Sequence, residues 1–404
     1  MNLLKKSRKN IVSRDISILK DLAKNNIRQY GMIITLISIM IFFQFQTDGT
    51  LLKPLNVTNL ILQNSYILIL AIGMLLVIVS FNIDLSVGSI AAFIGAIAAI
   101  FMVEIKINFI LAIVLVLLIG ALIGAVQGWW ISYVKIPAFI VTLAGMLIFR
   151  GLTMTILNGK SIGPFPEEFR KISTGFIPDF FKMESIHLTT IIIGIALTVI
   201  YILFEIYNRN MLKKYDFNVI PTLFLVVKIV VISVAVNIFI FILASYKGIP
   251  NVLILLFVLI IIYSFISSKT IIGRHIYALG GNEKAAKLSG VRTNRLKFLV
   301  FVNMGVMCAL SGIVFAARLN SATPKAGVGF ELDAIAACFI GGASTAGGIG
   351  TIIGAIIGGL VMGIMNNGMS LVGVGIDMQQ TIKGVVLLLA VAFDLFTKSR
   401  SAKG

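Results

Sequence analysis

Between Ile110 and Val126 the chain carries no charge, and the same holds from Leu188 to Leu203 and from Val252 to Ile266. As a helix, each run crosses or nearly crosses a hydrocarbon layer of about 30 Å. Many such runs make lipid, not water, the solvent for which this chain is built. In lipid every backbone N–H and C=O must be satisfied inside the protein, which leaves helices and closed barrels as spanning structures. Barrels are written as short alternating segments, and these runs are continuous. Composition agrees: 58% of the 404 residues are apolar, 12% are charged and mean hydropathy is +1.04. Soluble domains run nearer about 45–50% apolar and 25% charged. The expected fold class is all-α, a polytopic transmembrane helical bundle of about 10–12 spans with broken or half-crossing helices.

Apolar runs bounded by Gly, Pro and charge place candidate spans at 31–46, 60–81, 87–103, 108–132, 137–157 and 188–206. Further spans fall at 220–244, 250–267, 296–316, 331–346, 349–367 and 378–396. An even number of passes returns the chain to the side on which it began. The stretch 331–346 is short and interrupted by glycine, so a half-crossing element that ends inside the protein is expected there. The largest exterior loop is 158–187, stiffened by Pro164, Pro166 and Pro178. No Pro/Ser-rich linker separates the spans. A single transmembrane domain over 31–398 is expected, between a basic cytoplasmic segment 1–30 and a cytoplasmic tail 399–404.

A net charge of +18 in a soluble protein points to nucleic acid, but here its placement matters more than its size. Residues 1–29 hold eight Lys or Arg against two Asp, and 267–297 hold seven against one Glu. Residues 208–216 and 398–403 are basic too, whereas the loop 158–187 balances four against four. This is the positive-inside pattern. It predicts a bacterial inner (cytoplasmic) membrane protein with both termini in the cytoplasm. Its basic surfaces face anionic lipid headgroups rather than nucleic acid. Met32–Phe45 has no A-x-A site and reads as a retained first span rather than a signal peptide.

Nothing in the chain assembles a catalytic site. It has no GxxxxGK[ST], no HExxH and no plausible GxSxG, and no cofactor is expected. Cys308 and Cys338 lie in apolar runs and read as small buried hydrophobes. His187 and His275 are far apart, so no metal site is indicated. The run Gly341–Thr351 lacks a lysine and reads as a helix break inside the bundle. Gly120, Gly124 and Gly128 recur at helical spacing, as do Gly350, Gly354 and Gly358. That stripe serves either helix packing or a subunit interface.

Three polar features remain. In Phe81–Ser89, Asp84 or Ser86 suits the cap of a helix beginning near Val87, or a polar lining for a neutral hydroxylated solute. In Glu331–Gly342, two carboxylates open an apolar helix at its positive end, as caps or as part of a pathway that includes Asp333. The third, Gly273–Val291, is basic and cytoplasmic. Asn282 is a fair N-cap, Glu283–Leu288 are good helix formers and Gly290 can terminate them. Such a short helix is either an amphipathic connector or a handle for a cytoplasmic motor.

Asn282-Glu283-Lys284-Ala285-Ala286 with Gly290 resembles the Glu-Ala-Ala…Gly coupling loop of ATP-binding-cassette (ABC) importer permeases. Ile83–Gly88, Ile136–Leu143, Gly281–Gly290, Leu332–Ala337 and Asn366-Asn367-Gly368 resemble the ribose/xylose permease family. The motifs occur in family order over roughly residues 28–398. Thr47-Asp48-Gly49, Gly128-Trp129-Trp130 and Ala144–Gly151 look like the xylose and multiple-monosaccharide permeases in particular. About two extra spans between 188 and 268 depart from the ribose type. The resemblance implies monosaccharide import by alternating access, with a permease homodimer, a cytoplasmic ATP-binding subunit and an extracytoplasmic sugar-binding protein. It implies ATPase coupling at Asn282, Glu283, Ala285, Ala286 and Gly290. The substrate pathway would include Asp84, Ser86, Asp333, Asn366 and Asn367. The alternative, an ion-coupled secondary transporter, calls for paired ionisable residues at membrane depth. In the sequence Asp84, Arg150, Glu205, Lys228 and Lys383 stand singly near span ends.

Overall fold

The computed structural model describes residues 27–181, 186–215, 219 and 221–401, with side chains placed within 31–392. Most of the expected basic segment 1–30 and the end of the tail lie outside the described residues. Fifteen helices follow in order. They are α1 (Ile27–Gln46), α2 (Pro54–Val79), α3 (Val87–Ala99), α4 (Phe109–Trp129), α5 (Ala138–Leu157), α6 (Glu167–Thr174), α7 (Leu188–Lys214) and α8 (Thr222–Ala244). After these come α9 (Asn251–Lys269), α10 (Ile271–Gly281), α11 (Glu283–Leu288), α12 (Thr293–Leu319), α13 (Phe330–Ile340), α14 (Ile352–Leu371) and α15 (Ile376–Ser401). α3 and α4 each run on into a π-helical turn, Ile100–Glu104 and Trp130–Val134. Among the described residues, nine helices are long and apolar enough to cross a membrane. The fold is an all-α polytopic bundle, as its apolar runs require.

The chain forms two compact units. In the smaller one, which includes residues 176–249, α7 and α8 make a hairpin. Gly194 admits Ile240, whose Cγ2 would stand 2.5 Å from a Cβ at that position. Asn237 donates to Thr198 Oγ1 at 2.9 Å and Lys228 to Glu205 at 2.6 Å. Desolvation pushes the Asp179 carboxyl up. Hydrogen bonds from the Thr189 hydroxyl and from the amides of Thr189 and Phe181 outweigh this and hold it at about 2. A charged Asp179 thus sits where the free N–H groups of α7 begin.

In the larger unit α2, α12 and α14 are mostly enclosed, while α4 and α5 turn residues such as Leu118, Leu122, Leu147 and Ile148 outward. The most extensive helix pairing is α4 on α12. A Cβ at Gly120 would meet Gly305 O at 2.6 Å, and one at Gly124 would meet Phe301 O at 2.3 Å. On α14, Gly354 and Gly358 likewise lie against Gly341 O and Ala337 O at the end of α13. Both glycine stripes are therefore spent within the chain, and the subunit-interface alternative does not hold for them. In a bilayer the hydrophobic effect does not drive one helix onto another, so close backbone approach through small residues does that work.

Gly124→Val places branched carbon where the α12 backbone already stands. It is expected to lower stability by about 1–3 kcal/mol, read as thermal unfolding in detergent. Gly384→Ala, with open space around the new carbon, should leave the transition where it was.

Candidate functional site

The first break in the bundle follows α2. Phe81 adopts φ +62, with its amide bonded to Ile78 O and that of Asn82 to Val77 O. This is a left-handed cap held by a phenylalanine where glycine is usual, at a cost of about 1–2 kcal/mol. The chain then turns inward, and Asp84 and Ser86 are 1% and 0% exposed. Asp84 Oδ1 accepts from Ser86 N at 2.8 Å and from Ser86 Oγ at 2.6 Å. Ser86 Oγ accepts from Gln127 Nε2, inside α4, at 3.0 Å. Ser86 does stand at the N-cap position of α3, but its hydroxyl makes no bond to that helix. The hydroxyl proton goes to the Asp84 carboxylate, and the oxygen that would accept from a helix N–H accepts from the Gln127 amide instead. The expected side-chain cap is thus replaced by an Asp84–Ser86–Gln127 chain that ties the break to α4.

Sequence reading missed Gln127. Its signal is that of one amide within an otherwise apolar span, and its partner is 41 residues away. A Cβ at Gly145 would come within 2.4 Å of the Gln127 amide nitrogen, so glycine on α5 is what leaves the amide room. Beyond it α4 and α5 border a groove of about 520 Å³ lined by Leu122, Val126, Trp130, Ile140 and Ile148. Those walls suit an acyl chain or a helix face, not a sugar.

The second break surrounds α13. Gly327 and Gly329 adopt φ +75 and +82 before its first turn. There the chain crosses the start of α3: a Cβ at Gly88 would lie 2.2 Å from Gly327 O and 2.5 Å from Glu331 Oε2. Glycine at 88 thus brings the neighbourhood of Asp84 and Ser86 against the head of α13. Glu331 is buried, and its Oε2 has no hydrogen-bond partner among the described residues. Asp333 accepts from Lys383 of α15 at 3.0 and 3.3 Å. The rings of Tyr66, Phe315 and Phe330 pack beside this point with centroids 4.6–5.0 Å apart.

Two sequence expectations change here. Lys383 is not single, nor are Glu205 and Lys228; each has an opposite charge on a neighbouring helix. The partners lie 50 and 23 residues apart, and no helical period links them. α13 ends at Ile340 rather than crossing to 346, closed by Gly342 at φ +78 and a bond from Ala343 N to Cys338 O. The run 341–351 is the expected break, and Thr351 Oγ1 caps α14 by accepting from Gly354 N at 3.0 Å. Asn366 and Asn367 lie further along α14, carried toward the head of α13 by the antiparallel crossing of the two helices. Asn366 Oδ1 is buried without a hydrogen-bond partner among the described residues.

The third feature is α10–α11. Asn282 caps α11 through its side chain, which accepts from Ala285 N at 3.0 Å, and Gly290 adopts φ +86, both as the sequence implies. Ala285 is exposed, but Ala286 is 5% exposed and packs inward, so it offers no outer face. Glu283 is held by Lys297 of the same chain at 2.7 Å rather than left free. Leu288, which the sequence reading passed over, is 90% exposed at the end of the helix.

The chain matches the family model described as "Branched-chain amino acid transport system / permease component" over residues 56–391, and it belongs to that permease family. It is 40% identical to the xylose transport system permease protein XylH of Escherichia coli K12, covering 93% of this chain and 94% of that one. The XylH of Haemophilus influenzae is 40% identical over 93% and 98%. The ribose import permease protein RbsC of Escherichia coli K12 is 36% identical over 84% and 85%. No solved structure matches.

Asp333→Asn or Lys383→Met alone strands a half-buried charge and should cost about 2 kcal/mol. The double variant should cost clearly less than the sum, as a double-mutant cycle of thermal unfolding would read. Additive losses would mean that the pair contributes no coupling.

Proposed function

We propose that this chain is the membrane-spanning permease subunit of an ABC importer, translocating a monosaccharide such as xylose or a related pentose or hexose. The observation that carries the reading is the 40% identity across 93% of the chain to permeases named for xylose transport. ATP hydrolysis belongs to a separate cytoplasmic ATP-binding subunit, and sugar arrives on an extracytoplasmic binding protein. The permease works as a homodimer within lipid in the bacterial inner membrane, with both termini cytoplasmic. The membrane-spanning region 31–398 presents its loop 158–187 outside and its loop 270–295 inside.

In this reading α11 docks in a groove of the ATPase, with Asn282 and Gly290 fixing its two ends. Leu288 supplies the apolar anchor of that contact, and Ala285 permits close approach. Glu283 and Ala286 hold the helix in place from within the chain. Asp84, Ser86 and Asp333, joined by Gln127 and by Asn366 and Asn367, line the route of the sugar. A second reading, an ion-coupled secondary transporter of a small polar solute, draws on the Asp333–Lys383 pair, since paired ionisable groups in a bundle mark ion pathways.

Gly290→Val puts a β-branched residue at φ +86, at a cost of about 1–2 kcal/mol, too little to prevent insertion of the bundle. Leu288→Asp alters a side chain that is almost fully exposed. Both variants should reach the membrane in normal amount, co-purify with less ATPase and import less sugar. Normal ATPase association and uptake in both would reduce the loop to a connector.

A further inference from the structure

Helix α2 ends where the first break begins, and its last carbonyl, Val79 O, lies beyond the reach of its own helix's donors. It accepts instead from Gly348 N at 2.9 Å, within the second break. Helix α10 closes over this same bond. A Cβ at Gly280 would stand 1.6 Å from Val79 O and 2.8 Å from Gly348 N, so only glycine fits. One turn earlier on α10, the Tyr277 hydroxyl donates to Gly350 O at 2.7 Å. Gly347 and Gly348 adopt φ +74 and +70 to reach this junction, and Phe81 Cβ lies against Gly347.

Three segments thus meet in one knot: the loop helix α10, the end of α2 and the loop between α13 and α14. Both breaks begin here, and each carries pathway candidates. The chain runs from Val79 directly into Asp84 and Ser86, and back from Gly341 along α13 to Asp333. The other polar tie between the loop and the bundle, Glu283 with Lys297, has a carboxylate that is 43% exposed, and such pairs transmit little. Coupling needs a contiguous physical element that both sites bias, and the knot is one.

We propose that Tyr277 and Gly280 are positioning residues that link the position of α10 to the arrangement of both interior breaks. This rests on the importer reading above and assigns it a mechanical route. When the ATPase shifts α10, the Tyr277–Gly350 bond and the Gly280–Val79 contact move the 347–350 loop and the end of α2 together. The Asp84–Ser86 segment and α13 change place as one unit. By linkage, sugar in the pathway acts back on the motor through the same contacts.

The test uses the whole importer, with permease, ATPase and binding protein reconstituted in liposomes and xylose as probe. Tyr277→Phe keeps the ring and removes one hydroxyl. It should leave assembly normal and raise ATP hydrolysed per sugar imported by about three- to tenfold, the range expected from losing one hydrogen bond. Gly280→Ala should uncouple further or fail to accumulate, whereas Gly281→Ala, with open space around its new carbon, should match wild type. A merely structural role would lower the amount of protein without changing the ratio of ATP to sugar. Tyr277→Phe with the wild-type ratio overturns the inference and leaves the importer reading intact. Wild-type liposomes that hydrolyse no ATP in response to liganded binding protein overturn the importer reading and, with it, this inference.

Discussion

A carbonyl buried at a helix break loses its helical partner and has no water to turn to, and an orphaned one costs several kcal/mol. The bond from Gly348 N to Val79 O meets that demand where α2 ends. Much of the bundle's irregular backbone is arranged around it. Gly280 must be glycine for α10 to approach, Gly347 and Gly348 must adopt positive φ to present the amide, and α13 must stop at Ile340 to leave a loop free for the task. Irregular backbone in this protein lies where other segments can satisfy it.

The two breaks also gather polar side chains, joined by partners on neighbouring helices. Asp84, Ser86 and Gln127 satisfy one another in one cluster, and Asp333 and Lys383 do so in another. The Gly88–Gly327 crossing holds the two clusters near each other. Glu331 Oε2 and Asn366 Oδ1 remain buried without hydrogen-bond partners among the described residues.

Local features were legible in the sequence, and pairings across the bundle were not. The apolar runs predicted most helices, since each needs only its own residues to declare itself. Asn282 and Gly290 were readable because capping acts over three or four residues. The half-crossing element near 331 was visible in its glycines, although its end was placed six residues too far. By contrast, Lys383 with Asp333 and Gln127 with Ser86 depend on how helices pack, and no period in the chain records that. Asp84 or Ser86 was expected to cap α3, or to line a polar route, because type and place fit both. The Gln127 amide of α4 takes the Ser86 lone pair that a helix N–H would have used, and sequence spacing does not reveal that donor. Whether Ala286 faced outward was likewise a question of which side of α11 meets α12.

In the proposed function ATP, not an ion gradient, drives sugar through this bundle. The most direct measurement is uptake of labelled xylose into liposomes that hold the permease with its ATPase and binding protein, with ATP enclosed and proton and sodium gradients collapsed by ionophores. Uptake is expected to require ATP and the binding protein and to be unchanged by the ionophores. Uptake by the permease alone, driven by a proton or sodium gradient and abolished when that gradient collapses, would contradict it.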